Sequence, residues 1–301
     1  MEAPYQVPHV LIHFDINGTL TLKDSTKTAK DGKQVSNEYM ILSALAESTV
    51  AVWNPNYPKM PFKDYVYNIL VPGDKSNTQI KEQRQAIISN FIPWLRENHH
   101  PALFKVQYEY QQLIRTFTDI YTNTLELEIF NSFYTLIQKL NELKIPHTII
   151  LRTFGSDLDT TVREIENNER IPGIRFSTKI NLKDATLTDQ NVHALFMNFL
   201  SSTHYMAVHD DWVKWSQDEE RGRSGKPFIY NSLDRKTLSI FFDDKITGEE
   251  KDIINPVDIS GSKATTKDLK GRMLFPVNTT KAALDEEYYI RKVLKALAIS
   301  G

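Results

Sequence analysis

Short apolar runs that end abruptly in acidic residues are the feature of this sequence that most restricts its fold. Residues 10–14 (VLIHF) end in Asp15, and residues 238–242 (LSIFF) end in Asp243 and Asp244. Runs that are apolar throughout are typical of strands buried on both faces of a parallel sheet. Because ligands bind at the carboxyl ends of such strands, the residues that follow each run are the first candidates for function.

Helical patterns precede other runs of this kind. Apolar residues recur at helical spacing over residues 129–143, Pro146 ends that helix, and residues 147–151 predict a strand. Residues 192–200 predict a second helix, and residues 205–208 predict the strand that follows it. This alternation predicts an α/β fold, a Rossmann-like three-layer sandwich with a central, mostly parallel sheet.

A segment of different character separates the first strand from the rest. It predicts a long helix over about residues 77–98, with a kink or break at Pro93, and an aromatic-rich helix over about residues 104–118. We therefore predict a core domain from residues 1–22 and 129–301 and an inserted, mainly helical domain from residues 23–128, with approximate boundaries. The length of 301 residues is compatible with one or two domains.

Composition excludes several classes of function. The formal net charge of −2, without a basic stripe, predicts no nucleic-acid partner. The absence of cysteine excludes disulfides, thiolate catalysis and Cys-ligated zinc. The first ten residues lack a basic segment followed by an apolar run, and no stretch approaches the roughly 20 apolar residues that span a bilayer. We therefore expect a cytoplasmic protein with no membrane partner; the sequence indicates no particular oligomeric state.

The residues after the first strand carry a resemblance to a known family. Residues 15–21 read DINGTLT, which resembles the DxDxT motif of the haloacid dehalogenase-like superfamily and shares five of seven letters with the DKTGTLT motif of cation-pumping ATPases. The resemblance implies that Asp15 is a nucleophile that becomes phosphorylated. Gly18 would let the backbone turn closely around a phosphate, and Thr19 would hold the loop with its hydroxyl. On the residues alone, an Asx-type turn is the alternative.

Two further segments resemble the middle motifs of the same superfamily. Thr153 follows an apolar run and precedes Phe154 and Gly155, and by resemblance its hydroxyl would donate to a phosphate oxygen. Lys226 stands in a Gly-Lys-Pro sequence, and its ammonium would offset the repulsion between the Asp15 carboxylate and a phosphate. The alternatives are a turn or helix cap for Thr153 and a solvated loop for Lys226.

The last segment resembles the acidic final motif. Magnesium prefers oxygen ligands, and Asp15, Asp243, Asp244 and the backbone carbonyl of Asn17 are the ligands that the resemblance implies. A loop exposed to water could also hold two adjacent acids. A rival acidic segment lies at Asp210 and Asp211, where the alternative is an N-cap of a helix that begins at Trp212.

Asn17 departs from the motif of the phosphatases in this superfamily, which have an aspartate at that position. Its amide cannot exchange a proton usefully, so an acid-base contribution of about 10²–10⁴-fold would be missing. Three outcomes stay open. The substrate has a good leaving group, another residue such as Asp210 or Asp211 supplies the proton, or the phosphoenzyme is long-lived.

Taken together, the resemblance implies a Mg²⁺-dependent phosphatase or phosphotransferase that acts on a small phosphorylated molecule. Asp15, Asn17 and Lys226 would be the catalytic residues, and the insertion would be a cap that selects the substrate and excludes water. The alternative is a non-catalytic phosphate-binding or regulatory protein.

Two other features of the insertion have ordinary structural explanations. His99 and His100 stand before Pro101 and indicate a loop that ends a helix rather than a pair of metal ligands. Four aromatic residues of the insertion could stack on a substrate ring, although core packing is the commoner use: Tyr108, Tyr110, Phe117 and Tyr121.

Overall fold

A computed structural model describes residues 7–24, 34–74, 76–183, 188–201 and 205–300. Residues 1–6 lie outside this range. They are part of the segment whose sequence predicts that there is no signal peptide. The chain divides into two compact units. The first comprises Met1–Leu20, Ile129–Val277 and Asp285–Gly301, and the second comprises Thr21–Glu128 and Asn278–Leu284.

The described residues form ten strands and twelve α-helices. The strands are β1 His9–Asp15, β2 Val50–Ala51, β3 Met60–Pro61, β4 His147–Thr153, β5 Phe176–Asn181, β6 Tyr205–His209, β7 Lys226–Tyr230, β8 Thr237–Asp243, β9 Ile254–Asp258 and β10 Leu274–Pro276. The helices are α1 Asn37–Ser48, α2 Phe62–Tyr65, α3 Thr78–Ser89, α4 Phe91–Glu97, α5 Leu103–Phe117, α6 Asn131–Glu142, α7 Leu158–Glu166, α8 Asp189–Ser201, α9 Trp212–Gln217, α10 Thr266–Leu269, α11 Thr279–Leu284 and α12 Tyr288–Ser300.

The first unit contains a central six-stranded sheet in the order β10-β8-β1-β4-β6-β5. Every pairing between neighbours in this sheet is parallel. Strands β1, β4 and β8 are buried along almost their whole length, as the mainly apolar runs at residues 10–14, 147–151 and 238–242 predict. The predicted Rossmann-like α/β fold is confirmed.

Helices cover both faces of the sheet. Successive side chains of a strand point to opposite faces, and in these mainly apolar strands both faces must be shielded from water. On one face Leu11 of β1 belongs to a cluster with Phe196 and Phe199 of α8. On the other face the ring of Phe14 packs edge-on against Phe133 of α6 and Tyr289 of α12, at centroid distances of 5.4 and 5.0 Å. Strand β1 therefore lies at the centre of the core, and its last residue emerges at the carboxyl edge of the sheet.

The strand order places a topological switch point between β1 and β8. After β1 the chain adds β4, β5 and β6 on one side of β1, with β6 between β4 and β5, and it then adds β8 and β10 on the other side. Phe14 pairs with Phe242, so both strands reach the same edge in register. Open α/β sheets bind their ligands at such a point, and here it is lined by the acidic residues that follow each strand.

A second, two-stranded sheet of the first unit does not follow from the hydrophobic pattern. Strands β7 and β9 pair in parallel, with Lys226 opposite Ile254 at one end and Tyr230 opposite Asp258 at the other. These two strands are hard to predict from the sequence because both are short and each contains a proline, at position 227 or 256. The pairing matters because it makes Lys226 the first residue of a buried strand.

The second unit is mainly helical, with α1 packed against α2, α3, α5 and α11 and with a β2–β3 hairpin. The predicted long helix is broken, but the break is at Asn90 rather than at Pro93. Asn90 ends α3 and precedes α4, so Pro93 stands in the first turn of α4. A proline is tolerated there because the first backbone N–H groups of a helix have no partner within it.

The aromatic residues singled out in the second unit differ in their surroundings. Phe117 is buried, whereas Tyr108 and Tyr121 are exposed, and the hydroxyl of Tyr110 donates to Oε1 of Glu38 at 2.6 Å. Core packing therefore accounts for one of the four.

The two adjacent histidines lie in a loop, as predicted. His99 has a left-handed backbone with φ of 47°, and the ring of His100 stacks on Trp53 at 4.6 Å. The Nδ1 atom of His100 accepts a hydrogen bond from the backbone N–H of Ala102. The backbone N–H of His100 donates to the carbonyl of Leu95 in α4, so His100 has the contacts of a loop residue between α4 and α5.

Candidate active site

Three carboxylates converge at the carboxyl edge of the central sheet. Asp15 ends β1, Asp243 ends β8 and Asp244 follows it, and each offers an oxygen that lies within 4.8 Å of the others. Asp243 is fully buried and Asp15 is 7% exposed. The site thus forms because two neighbouring parallel strands end in acidic residues at the same height.

Lys226 lies between two of these carboxylates. Its Nζ atom is 2.5 Å from Oδ1 of Asp15 and 2.8 Å from Oδ2 of Asp243, and its side chain is 1% exposed. The solvated-loop alternative for this lysine is therefore wrong. The residue before it must be small, because a Cβ at Gly225 would lie 2.3 Å from the carbonyl oxygen of Ile253, the residue before β9.

The charges of this cluster are incompletely balanced. Burial raises the pKa of Asp15 well above its usual value, and the neighbouring Asp243 and Asp244 carboxylates raise it further against the opposing effect of Lys226. Burial alone would lower the pKa of Lys226, but Asp15 and Asp243 outweigh it and raise that pKa. Two ammonium groups face the three carboxylates, the buried one of Lys226 and the half-exposed one of Lys245, which lies 2.8 Å from Oδ2 of Asp244. The cluster therefore keeps one negative charge in excess when all three carboxylates are ionised, which favours a further cation.

The turn after β1 is fixed by the acidic segment and by the C-terminal helix. Gly18 has φ of 75°, and a Cβ there would lie 2.6 Å from Oδ2 of Asp244. The hydroxyl oxygen of Thr19 accepts a hydrogen bond from the backbone N–H of Asp244 at 3.1 Å. The backbone carbonyl of Thr19 in turn accepts from the hydroxyl of Tyr289, which is buried. The loop around Asp15 is therefore held from two sides.

Asn17 makes a contact that its motif does not predict. Its Nδ2 atom donates to Oδ2 of Asp157 at 2.8 Å. Its Oδ1 atom is buried and has no hydrogen-bond partner among the described residues. Because the Asp157 carboxylate can only accept, the NH₂ end of the Asn17 amide must face it. The carbonyl oxygen of that amide, Oδ1, therefore points away from Asp157 and is left without a donor in the described part of the chain.

The segment after β4 lies beside this turn, since β1 and β4 are neighbours and Asp15 pairs with Arg152. The Thr153 hydroxyl oxygen accepts from the backbone N–H of Gly155 at 2.8 Å, which leaves its proton to donate elsewhere. The ring of Phe154 stacks on Trp215, and the Nζ atom of Lys226 is 5.0 Å from the centroid of the Phe154 ring. The predicted phosphate-binding residues therefore lie at the same edge as the carboxylates.

The rival acidic segment has structural roles. Asp210 is fully buried and accepts from Nε and Nη2 of Arg152 at 3.0 and 2.5 Å, and Asp211 caps α9 by accepting from the backbone N–H of Lys214. Arg152 also donates to the carbonyl of Pro227, next to Lys226. The pair therefore ties β4, β6 and β7 together beneath the site, and neither acid belongs to the carboxylate cluster.

Sequence reasoning missed three residues that contact the site or its supports: Asp157, Arg152 and Tyr289. The sequence did indicate Arg152, because an arginine directly after the apolar run of residues 147–151, at the end of a buried strand, requires a partner. Asp157 and Tyr289 carried none, since the first lies in a polar loop and the second is one of several aromatic residues near the C-terminus. Their roles depend on packing between distant segments.

Comparisons with protein-family models, with curated proteins and with solved structures found no match. None of the described helices combines the length and the apolar character that crossing a bilayer requires. The case for a function therefore depends on the chemistry of the site itself.

Proposed function

We propose that this chain is a Mg²⁺-dependent phosphohydrolase or phosphotransferase of the haloacid dehalogenase-like type, which acts on a small phosphorylated molecule through an aspartyl-phosphate on Asp15. The observation that carries the proposal is the convergence of Asp15, Lys226, Asp243 and Asp244 at the switch point of the sheet. Asp15 of β1 is 211 residues from Lys226 of β7, which is in turn 17 residues from Asp243 of β8. Their meeting matches the order of motifs that the resemblance implies.

The donor set fits a hard divalent cation. Mg²⁺ takes oxygen ligands and is usually held by one or two carboxylates together with phosphate oxygens and water. Asp15, Asp243 and Asp244 offer carboxylate oxygens within 4.8 Å of one another, and the backbone carbonyl of Asn17 is the further ligand proposed. When bound, the ion would supply positive charge that offsets the charge of the transferred phosphoryl group.

Each protein group in the site has a role that suits phosphoryl transfer. The Asp15 carboxylate is the nucleophile, and it is held in place at the end of a buried strand. Lys226 is a charge fixed in a dry environment, where an ammonium stabilises phosphate oxygens far better than in water. The Thr153 hydroxyl and the backbone at Gly18 are the proposed contacts to the phosphate oxygens.

The first half of the reaction needs no proton from Asn17 if the leaving group is good. An oxygen of Asp15 forms a bond to phosphorus, and the bond between phosphorus and the leaving oxygen breaks. An aryl or acyl phosphate releases an oxygen that is stable as an anion, so its departure requires little acid catalysis. Such substrates are the appropriate first probes.

The alternative is a non-catalytic phosphate-binding or regulatory protein that keeps this pocket without useful hydrolysis. The observation in its favour is Asn17, whose amide donates to Asp157 and cannot exchange a proton. This alternative expects Mg²⁺ and beryllium fluoride to stabilise the chain against heat in the absence of any turnover. An Asn17→Asp variant that gained activity would also favour it.

The deciding experiment combines turnover with mass analysis. The chain is incubated with Mg²⁺ and either acetyl phosphate or an aryl phosphate, quenched in acid and analysed for an added phosphoryl group on the peptide that contains Asp15. We expect turnover and an adduct in the wild type, and neither in Asp15→Asn. Asp258→Asn, at the end of β9 and outside the cluster, should keep both.

Two results would exclude the enzymatic proposal. Stabilisation by Mg²⁺ with beryllium fluoride, without adduct or turnover for any substrate tested, would favour the non-catalytic alternative. The absence of adduct, turnover and stabilisation together would reject both readings of the site.

A further inference from the structure

The side chain of Asp157 lies next to Asn17, the residue that stands where the resembled motif has a proton-accepting aspartate. The two side chains are joined by the 2.8 Å hydrogen bond from Nδ2 of Asn17 to Oδ2 of Asp157. The chain therefore has a carboxylate one hydrogen bond away from the residue that replaces the acid-base aspartate of the resembled motif.

The carboxylate of Asp157 is directed to Asn17 rather than to its own helix. Asp157 is the residue before α7, where an aspartate ordinarily accepts from the backbone N–H groups of the first turn. Here it has a helical backbone conformation, and its side chain makes no capping hydrogen bond. The stabilisation that a cap contributes is absent, and the side chain instead contacts the segment that carries Asp15.

Three polar side chains surround the same point of the backbone. A Cβ built on Gly155 would lie 3.0 Å from Oδ2 of Asp157 and 3.4 Å from both Nδ2 of Asn17 and Oγ1 of Thr153. The lack of a side chain at Gly155 keeps the space between these groups open. Thr153 is the proposed phosphate contact, so Asp157 and the phosphate would share one small polar surface.

Other nearby acids are engaged elsewhere. Asp210 is paired with Arg152, Asp211 caps α9, and Asp159 is exposed and paired with Lys179. Asp243 and Asp244 belong to the carboxylate cluster. The other end of the Asn17 amide, its buried Oδ1 atom, has no hydrogen-bond partner among the described residues and would accept a hydrogen bond from a water molecule.

We propose that Asp157 is the general base for hydrolysis of the phosphoenzyme and that Asn17 is the residue that positions it. This inference rests on the proposed function. A water molecule donates one hydrogen bond to Oδ1 of Asn17, and its oxygen attacks phosphorus. The second proton of the water passes to the Asp157 carboxylate, the bond between phosphorus and the Asp15 oxygen breaks, and the Asp15 carboxylate and inorganic phosphate are released.

The test follows the decay of the phosphoenzyme. The chain is phosphorylated with acetyl phosphate and Mg²⁺, the donor is removed on a desalting column, and the fraction carrying phosphate on Asp15 is measured by mass against time. Asp157→Asn should be phosphorylated at least as completely as the wild type, and its phosphoenzyme should decay about 10²–10⁴-fold more slowly, the usual contribution of a general base.

Two further variants separate catalysis from structure. Asp159→Asn changes an exposed acid in the first turn of α7, two residues after Asp157, and should leave stability within about 0.5 kcal/mol and the decay rate close to that of the wild type. The double variant Asn17→Asp with Asp157→Asn exchanges the two groups and keeps the hydrogen-bonded pair. It should decay at least tenfold faster than Asp157→Asn alone, because a carboxylate is restored beside the same point.

The possible results distinguish this inference from the function on which it rests. Equal decay rates in Asp157→Asn and the wild type, or failure of the exchanged pair to recover, would overturn the role of Asp157 alone. A wild-type phosphoenzyme as stable as an acyl phosphate in water would do the same. A wild type that never acquires phosphate on Asp15 would overturn the function and this inference together.

Discussion

The ammonium of Lys226 lies 2.5 Å from the Asp15 carboxylate, with both side chains almost completely removed from water. A buried pair of this kind is costly to break from one side only, because the remaining charge stays desolvated. Asp243 shares the same ammonium, so loss of the lysine would leave two carboxylates without their counter-charge.

Lys226→Met should therefore destabilise the chain and, under the proposed function, abolish most of the phosphatase activity. We expect the free energy of unfolding, measured with urea in EDTA, to fall by about 3–5 kcal/mol, the usual cost of an uncompensated buried charge. Turnover of an aryl phosphate should fall by about 10²–10³-fold, as when one fixed electrostatic contact to the reacting group is lost. Added Mg²⁺ should recover more stability in this variant than in the wild type.

The matched control is Lys295→Met, which removes an exposed lysine of α12. Its unfolding free energy should stay within about 0.5 kcal/mol of the wild type, as is usual for surface substitutions. Equal stability of Lys226→Met and the wild type in EDTA would contradict the ion pairs described for this site.

Divalent cations should stabilise the folded chain through the carboxylate cluster. A ligand present at 100 times its dissociation constant contributes about 2.7 kcal/mol when it binds only the folded state. We expect the melting temperature of the wild type to rise with Mg²⁺ concentration and that of Asp243→Asn to respond far less. Asp258→Asn, which alters the end of β9, should keep the full response. An undiminished response in Asp243→Asn would place the ion elsewhere.

The buried pair of Arg152 and Asp210 should behave as a structural unit. Arg152→Met and Asp210→Leu should each lower the free energy of unfolding by about 3–5 kcal/mol, because each leaves a desolvated charge without its partner. The double variant should lose less than the sum of the two, since no buried charge remains in it. Additive losses in urea denaturation would show that the two side chains do not interact.

Acid should weaken the fold through histidines at the amino ends of β1 and β4. Burial lowers the pKa of His147, and burial together with the nearby His147 lowers the pKa of His9. As the pH falls, these histidines are therefore protonated in the unfolded chain before they are protonated in the folded chain. The free energy of unfolding is highest above pH 6.5, the ordinary histidine pKa, and decreases as the pH falls below that value. Urea midpoints measured from pH 7.5 to 5.5 should show this fall.

His147→Asn removes one of these titrating rings and should reduce that pH dependence. In the wild type Nδ1 of His147 lies 2.9 Å from the carbonyl of Ile145 and Nε2 lies 3.2 Å from the hydroxyl of Tyr205, an arrangement that suits the neutral ring. His193→Asn, at an exposed position of α8, is the control and should keep the wild-type slope. Identical slopes in all three proteins would exclude His147 as a contributor.

The local pattern was sufficient for the elements that are buried on both sides or have a strong period. The runs at residues 10–14, 147–151 and 238–242 became β1, β4 and β8, and each strand extends one or two residues beyond the apolar run. Strands β7 and β9 escaped prediction because each contains a proline and is only five residues long. The break at Asn90 was misplaced at Pro93 because a proline in the first turn is compatible with the helix that it begins.

The amino-acid sequence by itself determined the parallel α/β architecture and the acidic ends of β1 and β8, because these follow from hydrophobic periodicity and from the residues that end each run. Only the tertiary structure decided which acids meet. It paired Asp210 with Arg152, placed Lys226 between Asp15 and Asp243, and brought Asp157 to Asn17. Contacts of this kind join segments up to 211 residues apart, and they depend on strand order and on burial, which no local pattern encodes.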